Sequence, residues 1–229
     1  MNERITIDTP DGSFAAYVAY PDVARAPSVV VLQEIFGINA DMRAHCDRLA
    51  KAGYIAVCPD LFWRLEPGVE LTDKTEAEWT RARELRAALD IDKAIEDIEM
   101  TIARAGSFTK ANGKVGVMGF CLGGLLSFLS AARLGPDAAV AYYGGGIDKK
   151  VAEFAELTSP LILHLGEADE YIGPEARAQI AVAAEGKAHV YLYPGQHHAF
   201  AREGGKHYDQ DAATLAYART LAFFADHLQ

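Results

Sequence analysis

The sequence predicts an α/β fold: a mostly parallel central sheet, an N-terminal antiparallel edge hairpin, and helices on both faces. Three observations predict it. Short, fully apolar runs rich in β-branched residues recur along the chain, segments with helical spacing separate them, and an alternating pair of strands precedes the first run. Strands that alternate with helices are the pattern of a parallel sheet covered on both sides.

The elements follow in order. Arg4 to Asp8 and Phe14 to Tyr20 alternate about Thr9-Pro10-Asp11-Gly12, which reads as a hairpin. Ser28 to Leu32 (SVVVL) is apolar almost throughout, as a strand buried on both faces requires. Similar runs stand at Tyr54 to Cys58, Val115 to Met118, Ala138 to Tyr142, Leu161 to Leu165 and His189 to Tyr193. Between them, Asn39 or Asp41 can cap a helix that runs to about Ala52, with Gly53 as its stop. A long Ala/Leu/Arg/Glu segment covers Lys74 to Arg104, and Leu122 to Arg133, Ile147 to Glu156, Pro174 to Ala184 and His207 to His227 complete the helical set. Leu61 to Asp73 fits neither pattern and is expected as a loop over the C-terminal edge of the sheet, where open α/β folds place their ligands. No repeat, linker or low-complexity stretch divides residues 1–229, so a single domain is expected.

Composition narrows the partners. Of the 229 residues 50% are hydrophobic and 24% charged, enough for a sizeable core, and the net charge of −10 opposes binding to phosphate-rich surfaces. Nucleic acid and acidic membranes are therefore not expected as partners. The start, MNERITIDTPDG, has no apolar targeting region, and no segment reaches the roughly 18 apolar residues of a spanning helix, so a soluble, cytoplasmic protein is expected. Cys46, Cys58 and Cys121 are odd in number and form no CxxC pair, which suggests neither a disulfide framework nor a cysteine zinc site.

The chemistry gathers around Gly119-Phe120-Cys121-Leu122-Gly123-Gly124. The pattern G-x-C-x-G follows an expected strand and opens an expected helix, the setting of a nucleophile elbow. Its glycines suit a strained turn where a Cβ would meet neighbouring backbone. The backbone N–H of Leu122, at the helix N-terminus, becomes one oxyanion donor, and the helix dipole favours a thiolate. An α/β hydrolase presents nucleophile, acid and histidine in that chain order. Here the strand PLILHLG leads into Glu167-Ala168-Asp169-Glu170, and the strand HVYLYPG leads into Gln196-His197-His198, so acid and base fall where that order requires. Glu167 and Glu170 compete with Asp169, and His197 with His198. His164, within an apolar strand, reads as a hydrogen-bonded core histidine, while His45, His189, His207 and His227 read as surface residues of helices and strands. The adjacent pair His197 and His198 has no further ligand at a recognised spacing, so no metal is expected.

With these residues in view, the chain resembles the dienelactone hydrolases (carboxymethylenebutenolidases), α/β-hydrolase-fold enzymes with a cysteine nucleophile. The resemblance runs nearly end to end through VVVLQEIFGIN, GYIAVCPDLFWR, VGVMGFCLGG, AYYGGGI, LHLGEADEYI and YPGQHHAFAR. It implies Cys121 as nucleophile, His198 as base and Asp169 as the acid that orients it. It also implies Glu34 close to Cys121, the backbone N–H groups of Ile35 and Leu122 as the oxyanion hole, and Arg202 as the binder of a substrate carboxylate. A guanidinium suits two-pronged capture of a carboxylate. The implied reaction opens a small lactone of the dienelactone type: substrate engages the arginine, Glu34 takes the thiol proton, the thiolate attacks, and water releases the acid from a thioester. No cofactor is needed, and a monomer is the family expectation.

One departure stands out. Where the family carries a second substrate arginine, an ungapped match sets Trp79, leaving Arg81 or Arg83 as the candidate after a small shift. The pocket lining, and with it the acyl group, stays open. The alternatives are a carboxylesterase of the same family with broader small-ester preference, and a non-catalytic binding protein on the same fold. The second is disfavoured because Cys121, Asp169, His198 and Glu34 are all present.

Overall fold

A computed structural model describes residues 2–229, which form two compact units, one up to Gly116 and the other Val117–Gln229. In the first unit the strand order is β1 (Asn2–Thr9), β2 (Gly12–Ala19), β4 (Ile55–Pro59), β3 (Ala26–Leu32). β1 and β2 are the antiparallel hairpin, with Ile7 opposite Phe14, and β2 also runs antiparallel to β4. β3 and β4 are parallel, with Val30 opposite Val57. Every residue of β4 is buried, as a strand covered on both faces must be, and α1 (Ala40–Lys51) and α3 (Ile91–Gly106) pack on these strands. Asn39 caps α1 by accepting from the Met42 N–H.

The second unit repeats the alternation. The end of β5 (Ala111–Phe120) leads through Cys121 into α4 (Leu122–Arg133), and β6 (Ala138–Tyr142), β7 (Leu161–Gly166) and β8 (His189–Tyr193) follow in the order β5-β6-β7-β8. β6 pairs with β7 and β7 with β8, both in parallel. α4 and α6 (Gln210–Leu228) pack on β6, and α5 (Pro174–Ala184) lies against β8. The strand ends of β5, β7 and β8 therefore deliver Cys121, Asp169 and His198 in the sequence that the motif order anticipated.

Four expectations need correction. The segment Lys74 to Arg104 is two helices, α2 (Glu76–Ala88) and α3, because Leu89 turns extended (ψ 123°) and Asp90 caps α3 by accepting from the N–H groups of Asp92 and Lys93. Ile147–Glu156 is 3-10 helix interrupted at Lys150 rather than α-helix, and α6 starts at Gln210, behind its cap Asp209, rather than at His207. His45, read from sequence as a surface residue, is buried at 3% exposure, and burial first, helped by Arg48, pushes its pKa down to about 3. It lies on the inward stripe of α1 with Met42, Cys46 and Leu49.

The stretch from Leu61 to Asp73 is irregular but anchored. Gln33 Oε1 accepts from the Leu61 N–H at 3.1 Å, and the buried Asp60 accepts from Phe62 and Gly68 at 3.1 and 2.7 Å. Trp63 and Arg64 both donate to the buried Asp97. Among the described residues no helix is long and apolar enough to cross a membrane.

Candidate active site

Cys121 is the hinge between β5 and α4. Its backbone stands at φ 54°, ψ −110°, a conformation that costs a non-glycine residue on the order of 1–3 kcal/mol. Close packing holds it there. A Cβ on Gly119 would lie 2.2 Å from the Gly123 carbonyl oxygen, and one on Gly124 would lie 2.3 Å from the Tyr142 carbonyl oxygen and 3.0 Å from the Gly144 nitrogen. The Cys121 N–H donates to that same Tyr142 carbonyl at 3.1 Å. The glycines thus let the start of α4 press onto the end of β6, and the turn lifts a half-exposed thiol clear of the backbone. Leu122 is the first residue of α4, where helix geometry leaves the N–H without an intrahelical acceptor.

The ends of β7 and β8 are locked to each other. Glu167 N–H donates to the Tyr193 carbonyl at 3.0 Å and Ala168 N–H to the Gln196 carbonyl at 2.9 Å, and Gly166 leaves no room for a Cβ, which would lie 2.3 Å from that Gln196 oxygen. This brings Asp169, at 3% exposure, to His198: its Oδ2 sits 2.8 Å from His198 Nδ1. Its Oδ1 accepts from the N–H groups of Tyr171 and Ile172 at 2.8 and 3.1 Å, so the carboxylate is fully engaged. Of the acids in this turn, Asp169 reaches the imidazole, whereas Glu170 accepts the His198 backbone N–H at 3.4 Å. His197, by contrast, is 52% exposed and faces Glu170.

His198 also hydrogen-bonds the Cys121 thiol. Burial alone lowers the basicity of an imidazole; here it is outweighed by attraction to Cys121, the hydrogen bonds to Asp169 and Cys121, and the Asp169 charge, and the pKa is pushed up to about 10. The arrangement therefore favours the protonated form of the His198 imidazole. The rings of Tyr143 and Tyr171 meet the His198 ring at 61° and 70°, with centroids 5.1 and 4.8 Å away, and fix its plane. Sequence reading passed over both tyrosines; Tyr143's strained φ of 37°, next to two glycines, is visible only in the backbone. His164 is the core histidine expected: Nδ1 meets the Tyr193 hydroxyl at 2.8 Å, Nε2 meets Thr220 at 3.2 Å, and burial pushes its pKa down to about 3.

The remaining candidates sit as follows. Glu34 is 2% exposed, and Gln33, wholly buried, places its side-chain amide 3.4 Å from the Glu34 carbonyl. The segment carrying Ile35 is pinned from behind, where Leu71 N–H donates to the Phe36 carbonyl at 2.9 Å and Gly37, at φ 77°, has no space for a Cβ beside Val69. Trp79 packs edge-on against Phe36 at 5.0 Å. Arg202 is buried at 9% exposure, in the turn after His198. Arg81 is exposed, its guanidinium held by Glu66 and Glu84, while Arg83 pairs with Glu76 and lies over the Trp79 ring at 5.3 Å. A cleft of about 720 Å³ lined by Tyr20, Asp22, Arg104, Phe108 and Lys110 contains none of these candidates.

The strand order and the hinge at Cys121 define an α/β-hydrolase fold, and comparison with known proteins agrees. The dienelactone hydrolase family model matches residues 14–228. The carboxymethylenebutenolidase of Pseudomonas putida is 40% identical over 228 residues, covering 98% of this chain and 97% of that protein. Carboxymethylenebutenolidase 1 of Cupriavidus pinatubonensis is 38% identical over 216 residues, covering 93% and 92%. A crystal structure from Klebsiella pneumoniae superposes with a TM-score of 0.88 at 28% identity over 98% of both chains. The chain belongs to the dienelactone hydrolase family, and so to the hydrolases of ester and lactone bonds.

Proposed function

We propose that this chain hydrolyses small carboxylated lactones of the dienelactone type by nucleophilic catalysis through Cys121, His198 and Asp169. The observation that carries the reading is the connected array in which Asp169 Oδ2 holds His198 Nδ1 at 2.8 Å while the same imidazole meets the Cys121 thiol. Once deprotonated beside the His198 imidazolium, the Cys121 sulfur is a strong nucleophile. It attacks the lactone carbonyl, and the resulting oxyanion is met by the Leu122 N–H and, in this reading, the Ile35 N–H. Collapse breaks the ring C–O bond, His198 protonates the leaving oxygen, and an acyl thioester on Cys121 remains. His198, now neutral, draws a proton from water, hydroxide attacks the thioester, and the open-chain acid leaves as the thiolate re-forms.

Two further roles belong to the same reading. Arg202 captures the substrate carboxylate, and Glu34, a buried acid, takes part in moving the thiol proton. A second arginine from α2 assists at the carboxylate; Arg81 must leave Glu66 to do so, and Arg83 must leave Glu76. The chain acts as one domain and a monomer, in the cytoplasm. The decisive comparison is turnover of a dienelactone and of a short p-nitrophenyl ester by wild type, Cys121→Ala and His198→Ala. Near-complete loss in both variants is expected, and unchanged rates in either one overturn the reading. Arg202→Ala should raise KM for the carboxylated lactone far more than for a neutral one; equal effects on both remove the clamp role.

A further inference from the structure

Sequence spacing offered no partner for the adjacent histidines, but folding brings two. Glu170 follows β7, His197 follows β8, and His207 lies ten positions further on, before α6; one ligand atom from each falls within 4.8 Å of the others. The Glu170 carboxylate faces both rings, with Oε2 3.6 Å from His197 Nδ1 and Oε1 3.7 Å from His207 Nδ1. The two imidazoles lie against each other with centroids 4.6 Å apart. We propose that Glu170, His197 and His207 form a site for a borderline divalent transition ion, of which Zn²⁺ is the representative.

The spacing is the argument. At 3.6 and 3.7 Å the carboxylate oxygens are too far from the ring nitrogens for direct hydrogen bonds, which close at about 3 Å. Two ligands on one Zn²⁺, with metal–ligand distances of about 2.0–2.1 Å, stand about 3.4 Å apart, and each ring nitrogen lies near that distance from a different oxygen of Glu170, the spacing of a carboxylate that binds through both oxygens. Imidazole with one carboxylate suits Zn²⁺, Ni²⁺ or Cu²⁺ rather than Mg²⁺ or Ca²⁺. Side-chain exposures of 44% for Glu170, 52% for His197 and 26% for His207 leave the site open to solvent, which supplies entry and the remaining ligand. Glu170 Oε2 also accepts from the His198 N–H at 3.4 Å, which steadies the carboxylate as neighbouring donors steady metal-binding carboxylates. Bound ion ties the turn that carries Asp169 to the loop that carries His198.

The test uses full-length Cys121→Ser protein, because the thiol and His198 could themselves take zinc. Equilibrium dialysis against Zn²⁺ should give about one ion per chain, with a higher Tm, and His207→Ala in the same background should weaken binding by roughly 10- to 100-fold and remove the Tm gain. Absence of Zn²⁺ binding by Cys121→Ser, or unchanged affinity in the folded double variant, overturns the proposal. His207→Ala in the wild-type background, assayed without metal, should keep its ester turnover, which separates a metal-site effect from damage to the catalytic array.

Discussion

Cys121 owes its position to the two glycines around it more than to any bond of its own side chain. Gly124→Ala drives a Cβ to 2.3 Å from a carbonyl oxygen of the central strand β6, which has little freedom to yield. A loss of about 1–3 kcal/mol or more in urea unfolding is expected, and an unchanged midpoint would show that α4 shifts freely. Asp169→Asn removes the charge that orients and sustains the imidazolium; kcat should fall by about 10²- to 10⁴-fold with circular dichroism unchanged. Sequence order made Cys121 legible as nucleophile, because an elbow motif, an acidic turn and a histidine loop follow one another along the chain. It left Glu167, Asp169 and Glu170 undivided, since the choice depends on which carboxylate finds two turn N–H groups and the His198 ring at once. That is a property of the folded turn, not of residue type.

At the scale of elements, the strand runs were legible because strands buried on both faces leave an unbroken apolar signature, and β6 and β8 coincide with their expected limits. The long Ala/Arg/Glu segment misled because strong helix formers flank Leu89 and Asp90 on both sides, while the break comes from the Asp90 side chain serving as a cap. Asp90→Ala should cost about 1 kcal/mol in chemical unfolding, and Asp90→Asn much less, since the amide oxygen still accepts from the same N–H groups. Equal losses in the two variants would mean that charge, not capping, holds the junction. His45 escaped sequence reading because its side chain is polar, although its spacing from Met42, Cys46 and Leu49 sets it on their inward stripe.

For the molecule as a whole, three histidines set a pH profile. His45 and His164, whose pKa values lie near 3, must stay neutral when folded but bind protons when unfolded near the ordinary 6.5. The unfolded chain therefore holds more protons between about 3 and 6.5, and stability falls as pH drops through that window. His198 works in the opposite direction: with its folded value near 10 its contribution is complete below about 6.5 and is lost as pH rises through about 10. Urea titrations across this range should show the gap between wild type and His198→Gln narrowing from pH 6.5 to 10.5, and His164→Gln should flatten the acid limb. A gap that does not vary with pH would contradict the raised value.

The central claim is that Cys121 carries the acyl group. Wild type mixed with a p-nitrophenyl ester, acid-quenched within the first turnover and digested for mass spectrometry, tests it directly. The expected result is an acyl mass increment on the peptide containing Cys121, formed with the first release of p-nitrophenol and decaying as turnover proceeds. Full first-turnover release with no adduct on Cys121, or the increment on another residue, would contradict the account.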